Sequence, residues 1–155
     1  GNPQKIEALA DTCGKPIAVM AGGAAERVIK GQADLCAKEG KPALQVQSFT
    51  DQPTSILAVR SNRSDAFFSS QAPLTYFAQQ SNGQLELAGV GKANGFENLY
   101  QGTIVAKDSP LRDVILAGYQ ELFANGTYAA IMKKWGLEAN MLKEPGINLA
   151  GKNAK

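Results

Sequence analysis

Residues 16–29 read PIAVMAGGAAERVI: an apolar run, two glycines, and the opening of a helix. A strand that feeds a glycine turn and then a helix presents free backbone N–H groups at the positive end of the helix dipole, a setting suited to an anion. Gly-Gly is equally a common way to turn a chain from strand to helix, so the motif alone leaves a ligand site and a plain turn both open. A P-loop would need Gly-Lys-Ser/Thr after the turn. A dinucleotide fingerprint would need three glycines at fixed spacing and an acidic residue on the next strand. Neither is present, because Gly22 and Gly23 are followed by Ala24, Ala25, Glu26 and Arg27. Such short side chains let a small ligand approach the backbone, and a carboxylate suits the turn better than a nucleotide.

Working outward, Lys15 to Ala21 reads as a first strand and Ala24 to Lys38 as a helix with Val28, Leu35 and Cys36 on one side. LQVQSF (44–49) alternates apolar and polar residues and predicts a second strand. Thr50 or Asp51 then caps a helix with Pro53 in its first turn, carrying Ile56, Leu57 and Val59 and ending at Asn62. DAFFSS (65–70) reads as a short, largely buried strand. A helix follows from Gln71 to Gln80, closed by Ser81-Asn82-Gly83, and QLELAG (84–89) is expected to add a fourth strand. Strand and helix alternating over short connections predict an α/β lobe of three layers, a mostly parallel sheet flanked by helices. Ligands of such sheets bind outside the carboxyl ends of the strands. That rule selects two loops, Gly22 to Glu26 and Ser69 to Gln71, with Met20 lining the space beside them.

The second half changes character. A Gly- and Asn-rich loop spans 89–100, and GTIVAKD (102–108) is expected to form another strand. Ser109-Pro110 opens a helix with the apolar stripe Leu111, Val114, Ile115, Tyr119 and Leu122, broken at Gly126. Tyr128, Ile131, Met132 and Trp135 form the stripe of the next helix. At that helical spacing the aromatics read as core rather than as ligand contacts. The tail from Glu138 shows little periodicity and is expected to lie along the surface.

The chain has 155 residues, 44% of them hydrophobic, and no apolar run of membrane-spanning length, which predicts one soluble domain with a real core. Its 16 basic and 14 acidic residues are scattered, so the basic stripe of a nucleic-acid binder is missing. There is no histidine. The usual general base and the commonest metal ligand are thereby lost, which counts against an enzyme or a metal site. Cys13 and Cys36 are too far apart for a CxxC redox motif and lie at two ends that a βα unit can bring together. They read either as a disulfide, contributing roughly 3 kcal/mol by chain entropy, or as two buried thiols. A bridge would imply an oxidising compartment. With no initiator Met or signal peptide, the chain reads as processed or as a fragment.

Taken together, DTCGKPIAVMAGGAAE (11–26), the spaced Cys13 and Cys36, and the stretch from Phe49 to Gly89 resemble the extracytoplasmic substrate-binding proteins of ABC importers. The likeness is to the polar amino-acid family with the type II periplasmic-binding fold. YQGTIVAKDSPLRD (100–113) and ELFANGTYAAIMKKWGL (121–137) continue it in the family's order. The resemblance implies a two-lobed protein of which this chain is the second lobe (1–107) followed by C-terminal helices and tail (108–155). Those helices would normally pack on the first lobe. Isolated, their stripes would seek a partner, so a homodimer or a swap of elements is expected.

The resemblance also assigns roles. Gly22, Gly23, Ala24 and Ala25 occupy the places of the family's Gly-Ser/Thr-Thr-Gln turn, whose backbone N–H groups help to hold the ligand carboxylate. The donors survive here and the hydroxyl and amide side chains do not. Asp65 matches the first aspartate of the stretch after the third strand, whereas Ser70 falls where the family places the aspartate that pairs with the ligand's α-ammonium. Losing that charge-assisted bond would cost an α-amino acid roughly 1.5 to 3 kcal/mol. Either Glu26 or the other lobe meets the ammonium, or the ligand lacks one and Ser70 and Gln71 serve as neutral partners. Ser69, Ser70 and Gln71 also read as a plain helix cap. The expectation is a periplasmic solute-binding component that carries a small polar carboxylate to an ABC permease, with no cofactor and no chemistry. The rivals are a periplasmic enzyme of the cyclohexadienyl-dehydratase type, for which Glu26 is the one acid in reach, and a ligand-sensing module on the same fold.

Overall fold

The computed structural model describes residues 2–97 and 99–150. The chain divides into two units, Gly1–Gly95 and Phe96–Lys155.

The first unit is built on three parallel strands, β1 (Pro16–Met20), β2 (Gln45–Phe49) and β3 (Ala66–Phe68), in the order β2-β1-β3. Ile17 pairs with Val46 on one side of β1 and with Ala66 on the other. Parallel neighbours need a crossover, and helices supply it: α1 (Ala24–Lys38) between β1 and β2, and α2 (Gln52–Arg60) between β2 and β3. Helix α3 (Gln71–Gln80) follows β3.

Side chains alternate along β1, so its two faces feed different layers. Ile17 and Val19, fully buried, join Ile6, Ile29, Cys36 and Leu44 in the main core on the α1 face. Ala18 points the other way, where α2 packs across the strands with Ser55 and Ala58 fully buried. Those small residues allow helix and sheet to approach closely.

Several expectations hold to within a residue, including the spans of α1 and α3. Asp51 is the N-cap of α2, its Oδ1 accepting the Thr54 N–H at 2.7 Å, with Pro53 in the first turn. Other expectations fail. The buried stripe of α1 is Ile29, Gln32 and Cys36, while Leu35 is exposed. A helix anchored at Cys36 repeats its face every three to four residues back through Gln32 and Ile29, which turns Leu35 outward. QLELAG and GTIVAKD are not strands. Alternation makes a segment able to join a sheet, but a strand exists only where a neighbour accepts its N–H groups, and neither segment has one among the described residues. β3 is consequently an edge strand, half-buried rather than largely buried.

Cys13 and Cys36 form a disulfide with their Cα atoms 5.7 Å apart, so the alternative of two thiols falls. The buried Gln32 amide donates toward both sulfurs, at 3.5 Å to Cys36 and 3.7 Å to Cys13. The bridge ties the segment before β1 to the last turns of α1. The Gly- and Asn-rich loop is drawn onto that same segment, with Asn94 Oδ1 accepting the Leu9 N–H and Lys92 donating to the Glu7 carbonyl. Gly95 runs at φ +83° hard against Val28, whose side chain leaves no room for a Cβ there.

The second unit holds α4 (Leu111–Ala124) and α5 (Thr127–Lys134), two helices in contact and joined at Gly126, whose φ of +81° supplies the left-handed turn. Pro110 takes the N-cap position of α4, and Ser109 Oγ accepts the Leu111 N–H at 3.3 Å. Phe123 stacks on Tyr128 with ring centroids 4.0 Å apart, and the Tyr128 hydroxyl accepts the Leu142 N–H, which ties down the tail. The aromatics were expected in a core, yet neither helix has a fully buried residue, and Tyr119 and Trp135 are exposed. Two helices and a tail are too thin to enclose both stripes.

Candidate functional site

The turn after β1 is built by the two glycines for different reasons. Ala21 extends the β1–β2 ladder by one bond, its N–H donating to the Phe49 carbonyl at 2.8 Å. Gly22 then takes φ +80°, which a side chain would oppose, and turns the chain off the sheet edge. Gly23, in extended backbone at φ −99°, is the N-cap of α1, and the first helical bond runs from the Arg27 N–H to its carbonyl. A Cβ built on Gly22 or Gly23 meets only open space, so the backbone there is approachable from outside.

Among the described residues, the N–H groups of Gly23, Ala24 and Ala25 have no hydrogen-bond acceptor. These are orphan donors of a helix start, reinforced by the helix dipole. Gly22 differs, because Glu26 Oε2 reaches back and accepts its N–H at 2.8 Å. Glu26 Oε1 accepts from the Ser48 hydroxyl at 2.7 Å and from Lys30 Nζ at 2.9 Å. The Lys30 ammonium, then the Ser48 hydroxyl and the Gly22 N–H, hold the Glu26 carboxyl down at about 2.

Sheet register brings the second expected loop to the same edge. Val19 faces Phe68 across the β1–β3 ladder, so Met20 and Ser69 leave adjacent strands side by side. Ser70 takes the N-cap position of α3, with φ −68° and ψ 153°, but makes no side-chain capping bond to the helix. Met20, Gly23, Ala24, Ala25, Glu26, Ser69, Ser70 and Gln71 are all half-buried, and Gly22 is exposed. The third loop at this edge, after β2, brings Thr50 and Asp51, with the Asp51 carboxylate spent on the Thr54 N–H and the Thr50 hydroxyl.

Sequence reasoning missed Ser48 and Lys30. The Glu26–Lys30 spacing of four was a legible signal for a helix-surface pair. Ser48 gave none, because its approach to Glu26 depends on β2 lying beside β1. No cluster of three or more Cys, Asp or Glu able to hold a metal occurs among the described residues. Nor does any described helix have the length and apolarity to cross a membrane.

No family model matches the chain. It is 29% identical over 140 residues to the arginine-binding protein ArgT of Corynebacterium glutamicum, a match covering 89% of this chain and 44% of that protein. An ancestral arginine-binding protein solved with glutamine superposes with a TM-score of 0.62 at 25% identity, over 89% of this chain and 56% of that one. An ancestral arginine-binding protein solved with arginine gives a TM-score of 0.60 at 24% identity, over 84% and 54%. The chain thus spans about half the length of the proteins it matches. In sequence and in fold it is therefore similar to amino-acid-binding proteins built on the periplasmic-binding-protein fold.

Proposed function

We propose that this chain is the ligand-holding lobe of a solute-binding component of an ABC importer, and that it binds an amino acid or amino-acid-like carboxylate without transforming it. One observation carries the reading. At the carboxyl edge of the sheet, the N–H groups of Gly23, Ala24 and Ala25 lack acceptors and sit at a helix start, with open space beside Gly22 and Gly23. A ligand carboxylate satisfies them, Met20 flanks it, and Ser69, Ser70 and Gln71 meet its other polar groups. The relatives' names supply the first ligands to try, arginine and glutamine.

A binding role also accounts for the acids at this edge. Glu26 is held near 2 and so stays ionised at neutral pH, a poor base with no proton to donate there. Asp51 is committed to capping α2. The disulfide suits an oxidising space outside the cytoplasm, where such a component meets its permease. Closure over the ligand would come from a second lobe, in the half of the relatives that this chain does not span, and the apolar residues of α4 and α5 would meet that lobe or another copy of the chain.

Titration with L-arginine, L-glutamine and the corresponding acids lacking the α-amino group, read by amide NMR shifts, tests the site. Each true ligand should move the Gly23, Ala24 and Ala25 amides. Gly23→Asp fits sterically. Its carboxylate should cap α1 and fill the anion position, raising the melting temperature while weakening binding by about tenfold or more. A Gly23→Asp variant that binds as the parent does would show the site to be elsewhere. Ser70→Asp should favour the α-amino acids selectively.

A further inference from the structure

Glu26 is engaged from three elements at once. Gly22 belongs to the β1–α1 turn, Ser48 to β2, and Lys30 to the next turn of α1, and all three donate to its two oxygens within 2.9 Å. Its side chain is only 15% exposed, whereas that of Lys30 is 60% exposed. An ionised carboxylate has about four acceptor positions. With three donors in place and the charge offset by Lys30, little capacity is left for a ligand's ammonium.

The bonds have a directional effect. The bond to Gly22 removes that N–H from the set open to a ligand, and the bond to Ser48 ties the turn to a strand that is itself fixed in the sheet. Gly22 has no side chain to restrain it and stands at φ +80°, so without such a tie the turn has many conformations available. We infer that Glu26, acting through Ser48, is the positioning residue of the β1–α1 turn: it orients the Gly23, Ala24 and Ala25 N–H groups toward the ligand without touching the ligand itself. This rests on the site assignment made above, since it states how that site is held in shape.

Residue-resolved hydrogen exchange on the 155-residue chain, with an L-arginine titration of the same samples, tests the inference. In Glu26→Ala the Gly22 amide should exchange about tenfold faster or more, and in Ser48→Ala about threefold faster. The Ala21 amide, bonded to the Phe49 carbonyl one residue earlier, is the control and should change by less than about twofold in both variants. L-arginine affinity should fall in the same order, by about tenfold and about threefold. Joint acceleration of Gly22 and Ala21 would reveal general loosening and overturn the inference. So would unchanged arginine affinity in Glu26→Ala. Loss of binding in Glu26→Ala with Ser48→Ala unaffected would mean that Glu26 contacts the ligand directly, which also overturns it. If arginine moves none of the Gly23, Ala24 and Ala25 amides in the parent chain, the site assignment fails, and the exchange measurements then decide by themselves whether Glu26 holds the turn.

Discussion

At the scale of single residues, the charge state of Glu26 links the site to stability. Its folded value of about 2 lies below its ordinary 4.5, because Lys30, Ser48 and Gly22 all donate to the ionised form. A depressed carboxyl contributes stability that is complete above the ordinary value and is lost as pH falls through the folded one. The window therefore runs from about 4.5 down to about 2. Asp11 and Asp51 act in the same direction, each lowered first by backbone N–H groups, of Glu7 and Ala8 for Asp11 and of Thr54 for Asp51. Thermal melts through that window should show the parent losing stability steadily as it is acidified. Glu26→Gln should start lower at neutral pH and fall less steeply, keeping only the share due to the aspartates. Parallel curves for the two proteins would mean that the Glu26 bonds contribute nothing in solution.

At the scale of elements, α1 does two jobs from its two ends. Its first turn supplies the orphan donors, and its last turns carry Cys36, which is bridged to Cys13 and buried with Ile17, Ile29 and Leu44. The bridge anchors the helix at the end opposite the candidate site, so the axis of α1 is set by the core rather than by the turn. Closing a loop of this size should contribute roughly 3 kcal/mol by restricting the unfolded chain. Denaturant unfolding of the double variant Cys13→Ser, Cys36→Ser measures it, the expected result being a lower midpoint with the sheet retained. An unchanged midpoint would mean that packing around Gln32 and Ile29 suffices to seat the helix. Strands obey a different logic from helices. An α-helix bonds the backbone of its interior to itself, and α1 to α5 lie where their caps and breakers stand, whereas QLELAG and GTIVAKD carry strand-like alternation without a partner among the described residues.

At the scale of the whole molecule, the two units differ in how much they bury. The first encloses a core around β1. In the second, Leu111, Val114, Tyr119, Ile131 and Trp135 are all exposed. Large apolar side chains gathered on two short helices are the composition of an interface. The chain by itself is expected to self-associate, with an apparent mass by light scattering that rises with concentration, and Val114→Lys with Ile131→Lys should return it toward the monomer. A mass independent of concentration in the parent chain would refute this.

The sequence by itself determined what depends on near neighbours along the chain. The Gly22-Gly23 turn, the Asp51 cap, the extents of α1 and α3, the break at Gly126 and the alternation that makes an α/β lobe all follow from local sterics and hydrogen bonding. Both candidate loops were legible for the same reason, since each is where a short apolar strand gives way to a helix start. Only the tertiary structure decided which face of α1 is buried, that Cys13 and Cys36 are bridged, and that two expected strands stay unpaired among the described residues. It alone brought Ser48 to Glu26 across the β1–β2 ladder, and so tied to the sheet a carboxylate that reaches back only four residues to the Gly22 N–H. These outcomes rest on contacts between residues distant in sequence, and a local pattern of apolar and polar residues carries no record of which strand will lie beside which.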